Sequence, residues 1–246
     1  MKLENLIDNI IKETLNENGL GNLNKKQEVI SSSKPDNNMN INESYVAQAG
    51  KFNLSTELLS DKTKKQHQEL LEGYVRELND ISNKLDTVDK LAANLNNSVY
   101  RSLKIDETYN HNAAFLHGLY FENISDLSST ISVDSLPYMR LARDFGSFDK
   151  WQEDFVACCL SARNGWAMTV YNVQLKRYMN TVIDLHSSNV MIGIIPIIVM
   201  DCWEHAYFKD YLANRKPYSF GMMKELNWSK IEERIIKADK IARILG

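Results

Sequence analysis

The sequence predicts an α+β protein: an N-terminal antiparallel helical hairpin followed by a small three-stranded antiparallel sheet packed with helices. Two observations carry this. Apolar residues recur at helical spacing up to about residue 160 and again from His205 to the end. Between those stretches lie three β-branched and aromatic runs divided by polar connectors. Strands that follow one another without intervening helices exclude an alternating βαβ order.

The first fifty residues differ in kind from the rest. Leu3, Leu6, Ile7, Ile10, Ile11 and Leu15 form one apolar stripe, so a short amphipathic helix is expected, with a docking partner for residues 1–18. Residues 16–50 are rich in Asn, Ser, Gly and Lys and have no aromatic residue before Tyr45, which predicts a disordered linker. Three domains follow from this reading: 1–50, a helical hairpin over 51–130, and an α/β part over 131–246.

Ser60 is the expected N-cap of the first long helix, whose stripe runs Leu71, Tyr74, Leu78, Ile81, Leu85. A second helix is expected over 112–123, with Ala113, Leu116, Tyr120 and Phe121 on one side. A third starts after Ser147, where Trp151, Phe155 and Cys159 are four apart. Strands are expected at 166–171, 178–183 and 194–202, and Pro196 demotes the start of the last to an edge or entry position. Helices resume at His205, break at Pro217, and end on the stripe Ile231, Ile235, Ala238, Ala242, Leu245.

Composition excludes several classes of function. At 43% hydrophobic and 25% charged, the 246-residue chain is too apolar for a disordered protein. A net charge of −3 gives no basic field to draw nucleic acid or an anionic membrane. The longest apolar run, 190–200, is interrupted by Gly193 and Pro196 and falls far short of the ~20 residues of a membrane span. Three cysteines, two of them adjacent, suit a reducing compartment. Glu4, Asp8 and Glu13 break up any secretory h-region, and no arginine precedes Arg76, so a cytoplasmic location is expected.

Histidine placement is the informative chemical feature. His67 shares the apolar face of the first helix with Tyr74, and His117 sits within the apolar face of the second. Asp201 ends an apolar strand and His205 follows four residues later. An unpaired buried aspartate is costly, and a bound cation compensates it. The set His67, His117, Asp201, His205 suits iron, manganese or zinc and does not suit calcium or a soft metal. An Asp201–His205 ion pair capping the last helical region is the structural alternative. His111, between Asn110 and Asn112, is expected as an exposed residue at a helix start.

Asp201-Cys202-Trp203-Glu204-His205-Ala206-Tyr207 resembles the D-x-W-E-H-A-Y motif of the iron/manganese superoxide dismutase family. Phe145-Gly146-Ser147-Phe148, Gly165-Trp166 and Asn227-Trp228 fall in the same order as in that family, and the likeness covers roughly residues 53–244. Leu116-His117-Gly118-Leu119-Tyr120-Phe121 and His67 with Gly73-Tyr74-Val75 look like its two helical ligand motifs. The resemblance implies dismutation of superoxide by one Fe or Mn per chain, held by His67, His117, Asp201 and His205. It implies Tyr74 as the gateway tyrosine and proton relay, and His186 as the group that hydrogen-bonds solvent at the metal. Trp166 and Trp203 would wall the pocket. Glu204 would reach the ligand histidine of a second subunit in a homodimer, with Tyr207 near the seam. The chain departs from the family pattern at Leu71, Leu116, Phe121 and Met168, and Tyr74 follows His67 by seven residues where the family has eight. A gapless match on Tyr74 puts Gln66 in the ligand place. Two other readings are weighed: a catalytically weak or inactive structural subunit of this fold tethered to a larger assembly through the N-terminal extension, and a zinc hydrolase, for which no free glutamate is placed as a base.

Overall fold

The computed structural model describes residue 50 and residues 52–126 and 128–245; the expected helix and linker of residues 1–49 lie outside them. Seven helices and three strands occur among the described residues: α1 (Asp61–Thr87), α2 (Val99–Asn123), α3 (Leu136–Phe145), α4 (Phe148–Ser161), β1 (Gly165–Asn172), β2 (Arg177–Asp184), β3 (Ile194–Asp201), α5 (Glu204–Tyr211), α6 (Arg215–Lys224) and α7 (Trp228–Leu245). The class is α+β, as the residue pattern predicts. The described chain divides into two compact units, residues 71–114 and residues 52–70 with 115–245.

The smaller unit holds the distal parts of α1 and α2. Leu71, Val75, Ile81, Leu103, Ala113 and Ala114 are buried. Tyr74 meets Tyr109 here, whereas in the larger unit His67 meets Phe121. Partner numbers fall on α2 as they rise on α1, which is the signature of an antiparallel hairpin. Ser60 caps α1 as expected, its Oγ accepting from Thr63 N at 3.3 Å.

In the larger unit the sheet order is β2-β1-β3, both pairings antiparallel. β1 is buried along its whole length, since it is the central strand. Its first residue is glycine for a steric reason: a Cβ at Gly165 would stand 1.9 Å from the Ile183 carbonyl oxygen. Pro196 lies on an edge strand, beside the bulge where the β1–β3 register shifts between Thr169 and Val170. Helices α4 and α7 pack on the sheet. Trp151 of α4 is fully buried and donates from Nε1 to Thr169 Oγ1 at 2.8 Å, and Thr169 donates onward to Asn180 Oδ1 at 2.6 Å. Ser147 caps α4 by accepting from Lys150 N.

Three expectations are corrected. α2 starts at Val99, not at 112, because its first turns are mostly polar and show no sustained apolar stripe. His111 is exposed as expected, but it stands in mid-helix. Pro217 does not break the C-terminal helices: it sits in the first turn of α6, where a missing N–H costs nothing. The chain turns earlier, at Leu212, whose φ is 52°. Helix α3 was unforeseen, although Pro137 at its start and Gly146 at its end, with φ 87°, are ordinary boundary signals.

A buried ion pair ties α2, β3 and α7 together. Arg234 donates to Glu122 Oε2, Asn123 Oδ1 and the carbonyls of Leu119 and Ile197, at 2.6–2.9 Å. Arg234→Ala leaves the Glu122 carboxylate and two carbonyls without their donor, and the expected loss is about 3–5 kcal/mol of unfolding free energy. Urea denaturation of both proteins measures it; a loss below about 1 kcal/mol would show that water replaces the guanidinium.

Candidate metal centre

Four elements aim one side chain each at a common point within the larger unit: His67 from α1, His117 from α2, Asp201 at the end of β3 and His205 in the first turn of α5. One ligating atom from each lies within 4.8 Å of all the others. Asp201 Oδ2 is the focus, at 3.0 Å from His67 Nε2, 3.1 Å from His205 Nε2 and 3.6 Å from His117 Nε2. His67 stands edge-on to the other two imidazoles, and His117 and His205 are nearly parallel. His67, His117 and Asp201 are buried, whereas the His205 side chain keeps 28% of its exposure.

The carboxylate is held from both ends. Its Oδ1 accepts from Trp203 N at 2.9 Å. Its own backbone carbonyl accepts from Tyr218 OH at 2.8 Å, and Tyr120 OH lies 2.9 Å from the same hydroxyl. Tyr218 spends its proton on Asp201, so Tyr120 donates to Tyr218. Burial raises both phenols above their ordinary range and keeps them protonated. Beyond Asp201 the strand pairing continues for one more bond, from Cys202 N to Gly165 O.

An aromatic wall surrounds the cluster. Phe121 meets His67 edge-on at 4.9 Å, and Trp166 meets His117 edge-on at 4.9 Å. Trp203 stacks on both His205 and His186. His186 is fully buried, its ring 5.9 Å from that of His117, and its Nδ1 accepts from Trp166 Nε1 at 3.0 Å. A neutral imidazole whose Nδ1 accepts carries its proton on Nε2.

Electrostatics favour deprotonated donors. Burial lowers His67, and burial lowers His186 to about 4, so both rings are neutral near pH 7. Burial alone would raise Asp201, but His205 and His67 outweigh it and hold the carboxyl well below its usual range. Two of the imidazoles are fully buried and face an ionised carboxylate: nitrogen and oxygen donors without a thiolate, the chemistry of first-row ions such as iron, manganese or zinc. The residues fit such an ion. The open groove of about 940 Å³ beside Phe148, Val156, Phe220 and Trp228 is lined by none of the four.

Other residues marked in the sequence fall as follows. Gln66 is exposed, so the shortened spacing to Tyr74 brings His67 and not Gln66 to the cluster. Tyr74 belongs to the smaller unit and packs on Tyr109. Glu204 is exposed. Tyr207 is buried, stacked on Tyr218 and accepting from Arg215 Nε at 3.2 Å. Tyr120 and Tyr218 were not foreseen as supports of Asp201; nothing in their spacing announces a contact that spans 98 residues.

The chain is similar to known proteins. The chain is 34% identical over 171 residues to the iron superoxide dismutase of Aquifex aeolicus, covering 68% of this chain and 79% of that protein. The chain belongs to the iron/manganese superoxide dismutase family. Residues 138–234 match the family profile described as iron/manganese superoxide dismutases, C-terminal domain. The iron superoxide dismutase of Cupriavidus metallidurans is 30% identical over 168 residues, 68% of this chain and 82% of that one. A manganese superoxide dismutase of Halobacterium salinarum is 32% identical over 133 residues, 54% and 66%. Relatives named for iron and relatives named for manganese both align with this chain.

The low value at His186 has a consequence for stability. Between about pH 4 and the unfolded value near 6.5, the unfolded chain binds a proton at this residue that the folded chain does not. Stability from this group is therefore complete above 6.5 and is lost as pH falls toward 4. The expected contribution is about 1–3 kcal/mol. Urea midpoints of metal-stripped protein at pH 4.5 and 7 should differ less in His186→Gln than in the parent; equal differences would contradict it.

Proposed function

We propose that this chain dismutates superoxide to dioxygen and hydrogen peroxide, with one iron or manganese ion held by His67, His117, Asp201 and His205. The observation that carries the reading is the convergence of three imidazole nitrogens on one buried carboxylate oxygen. The ion, when bound, supplies the one-electron cycle between +3 and +2. One carboxylate against such an ion leaves the centre net positive, which draws a small anion. The hairpin, residues 51–130, supplies the first two ligands, and residues 131–246 the other two. The complete set favours the enzyme over an inactive structural subunit.

The remaining residues orient groups and move protons. Trp166 fixes the tautomer of His186, so that His186 offers an Nε2–H as a hydrogen-bond donor in the pocket. Trp166, Trp203 and Phe121 keep bulk water from the imidazoles. Tyr74 relays protons. Glu204 points about 100° away from its neighbour His205 along the helix and serves instead the same histidine of a second copy across a two-fold axis. The working form is then a homodimer, with Tyr207 near the seam. The three free cysteines suit a reducing cytoplasm. Residues 1–18 supply a docking segment for a partner, and residues 1–50, which carry none of the four ligands, are dispensable for the reaction. None of the helices among the described residues is long and apolar enough to cross a membrane.

Metal analysis and a superoxide-consumption assay on the purified chain test the reading together. Asp201→Ala should lose both metal and activity, because it removes the anionic ligand. Protein that holds neither iron nor manganese and gains no activity on reconstitution would sink the enzyme. Glu204→Ala should weaken dimerisation and lower metal affinity about 10- to 100-fold. A fully metallated, active monomer at micromolar concentration would refute the shared arrangement.

A further inference from the structure

Tyr74 has a companion that the family motif does not supply. Inside the smaller unit, Tyr109 of α2 faces Tyr74 of α1 across the hairpin, with ring centroids 6.4 Å apart and planes inclined at 64°. The two hydroxyls are hydrogen-bonded. Both residues are half-buried. Burial raises the Tyr109 phenol above its ordinary value, more than its bond to Tyr74 lowers it, so it is a neutral phenol that meets Tyr74 near pH 7.

A phenol hydroxyl turns about its C–O bond, and a proton relay depends on where that hydrogen points. Two bonded phenols remove the freedom: one donates, the other accepts, and reversing the pair requires both hydrogens to turn together.

We infer that Tyr109 is a positioning residue for the dismutation reaction, orienting the Tyr74 hydroxyl through their shared hydrogen bond. The inference rests on the reading of Tyr74 as a proton relay. Tyr109 itself exchanges no proton with substrate.

A double-mutant cycle tests it on the full chain with its metal bound, using Tyr109→Phe, Tyr74→Phe and the double variant. Metal content, superoxide decay and thermal unfolding of the metal-stripped proteins are read for each. Tyr109→Phe should keep its metal and slow turnover about 2- to 10-fold, the range of one lost hydrogen bond. In the Tyr74→Phe background the second change should have no further effect on turnover, and the shifts in unfolding temperature should be non-additive. Tyr109→Gln, which keeps a bonding group, should recover part of the rate. Additive effects, or a Tyr109→Phe protein as fast as the parent while Tyr74→Phe is slow, would overturn the positioning role alone. A fully metallated Tyr74→Phe protein with unchanged turnover would overturn the relay reading and this inference with it.

Discussion

The buried carboxylate of Asp201, faced by three imidazoles, is the constraint around which the larger unit is arranged. A carboxylate with no exposure loses its hydration, and replacing that hydration takes several groups directed at the same two oxygens. One oxygen takes the backbone N–H of Trp203, and the other faces His67, His117 and His205. These groups come from α1, α2 and the start of α5, so the carboxylate is satisfied only when all three elements are in place. A cation at the same point would complete the arrangement, since the four side chains present lone pairs and negative charge to one position.

Placing that carboxylate depends on the sheet. Asp201 is the last residue of β3, paired with Trp166 of the central strand, so the same register sets a buried carboxylate and an aromatic wall side by side. Gly165 admits the close approach of β2 at the start of this strand, and Tyr218 grips the Asp201 carbonyl from α6. Arg234, farther along, joins the carbonyls of α2 and β3 to α7, which holds the helix bearing His117 against the strand bearing Asp201. Backbone register and two buried polar networks thus hold the elements that carry the centre.

Around the cluster, aromatic residues set protonation as well as shape. Burial among them keeps His67 and His186 neutral, and a neutral imidazole is what a metal site needs. Trp166 does two things at once: its ring walls His117 and its N–H fixes which nitrogen of His186 carries the proton. Of the four, His205 alone keeps an exposed edge, at the start of the helix that also carries the exposed Glu204. The centre is therefore closed on the sides formed by α1, α2 and the sheet, and opens where α5 begins.

Much of this was legible in the sequence because it is local. Apolar spacing marks helices, β-branched runs mark strands, and Ser60 and Ser147 mark helix starts, since each signal is read within one or two turns. Asp201 and His205 were legible for the same reason: a strand end and a helix turn four residues apart place two groups together with no help from distant parts of the chain. The first turns of α2 and the whole of α3 were missed where polar residues hide the period, and Pro217 misled because proline breaks a helix only beyond its first turn. Tertiary structure alone decided the rest. It brought His67, not Gln66, to the centre, because facing on a helix is fixed by what the helix packs against. It also placed Tyr218 under Asp201, the Trp166 N–H against His186 Nδ1 and Tyr109 against Tyr74. Those three contacts join residues 17 to 35 positions apart, and no local pattern encodes a distance that only the folded backbone creates.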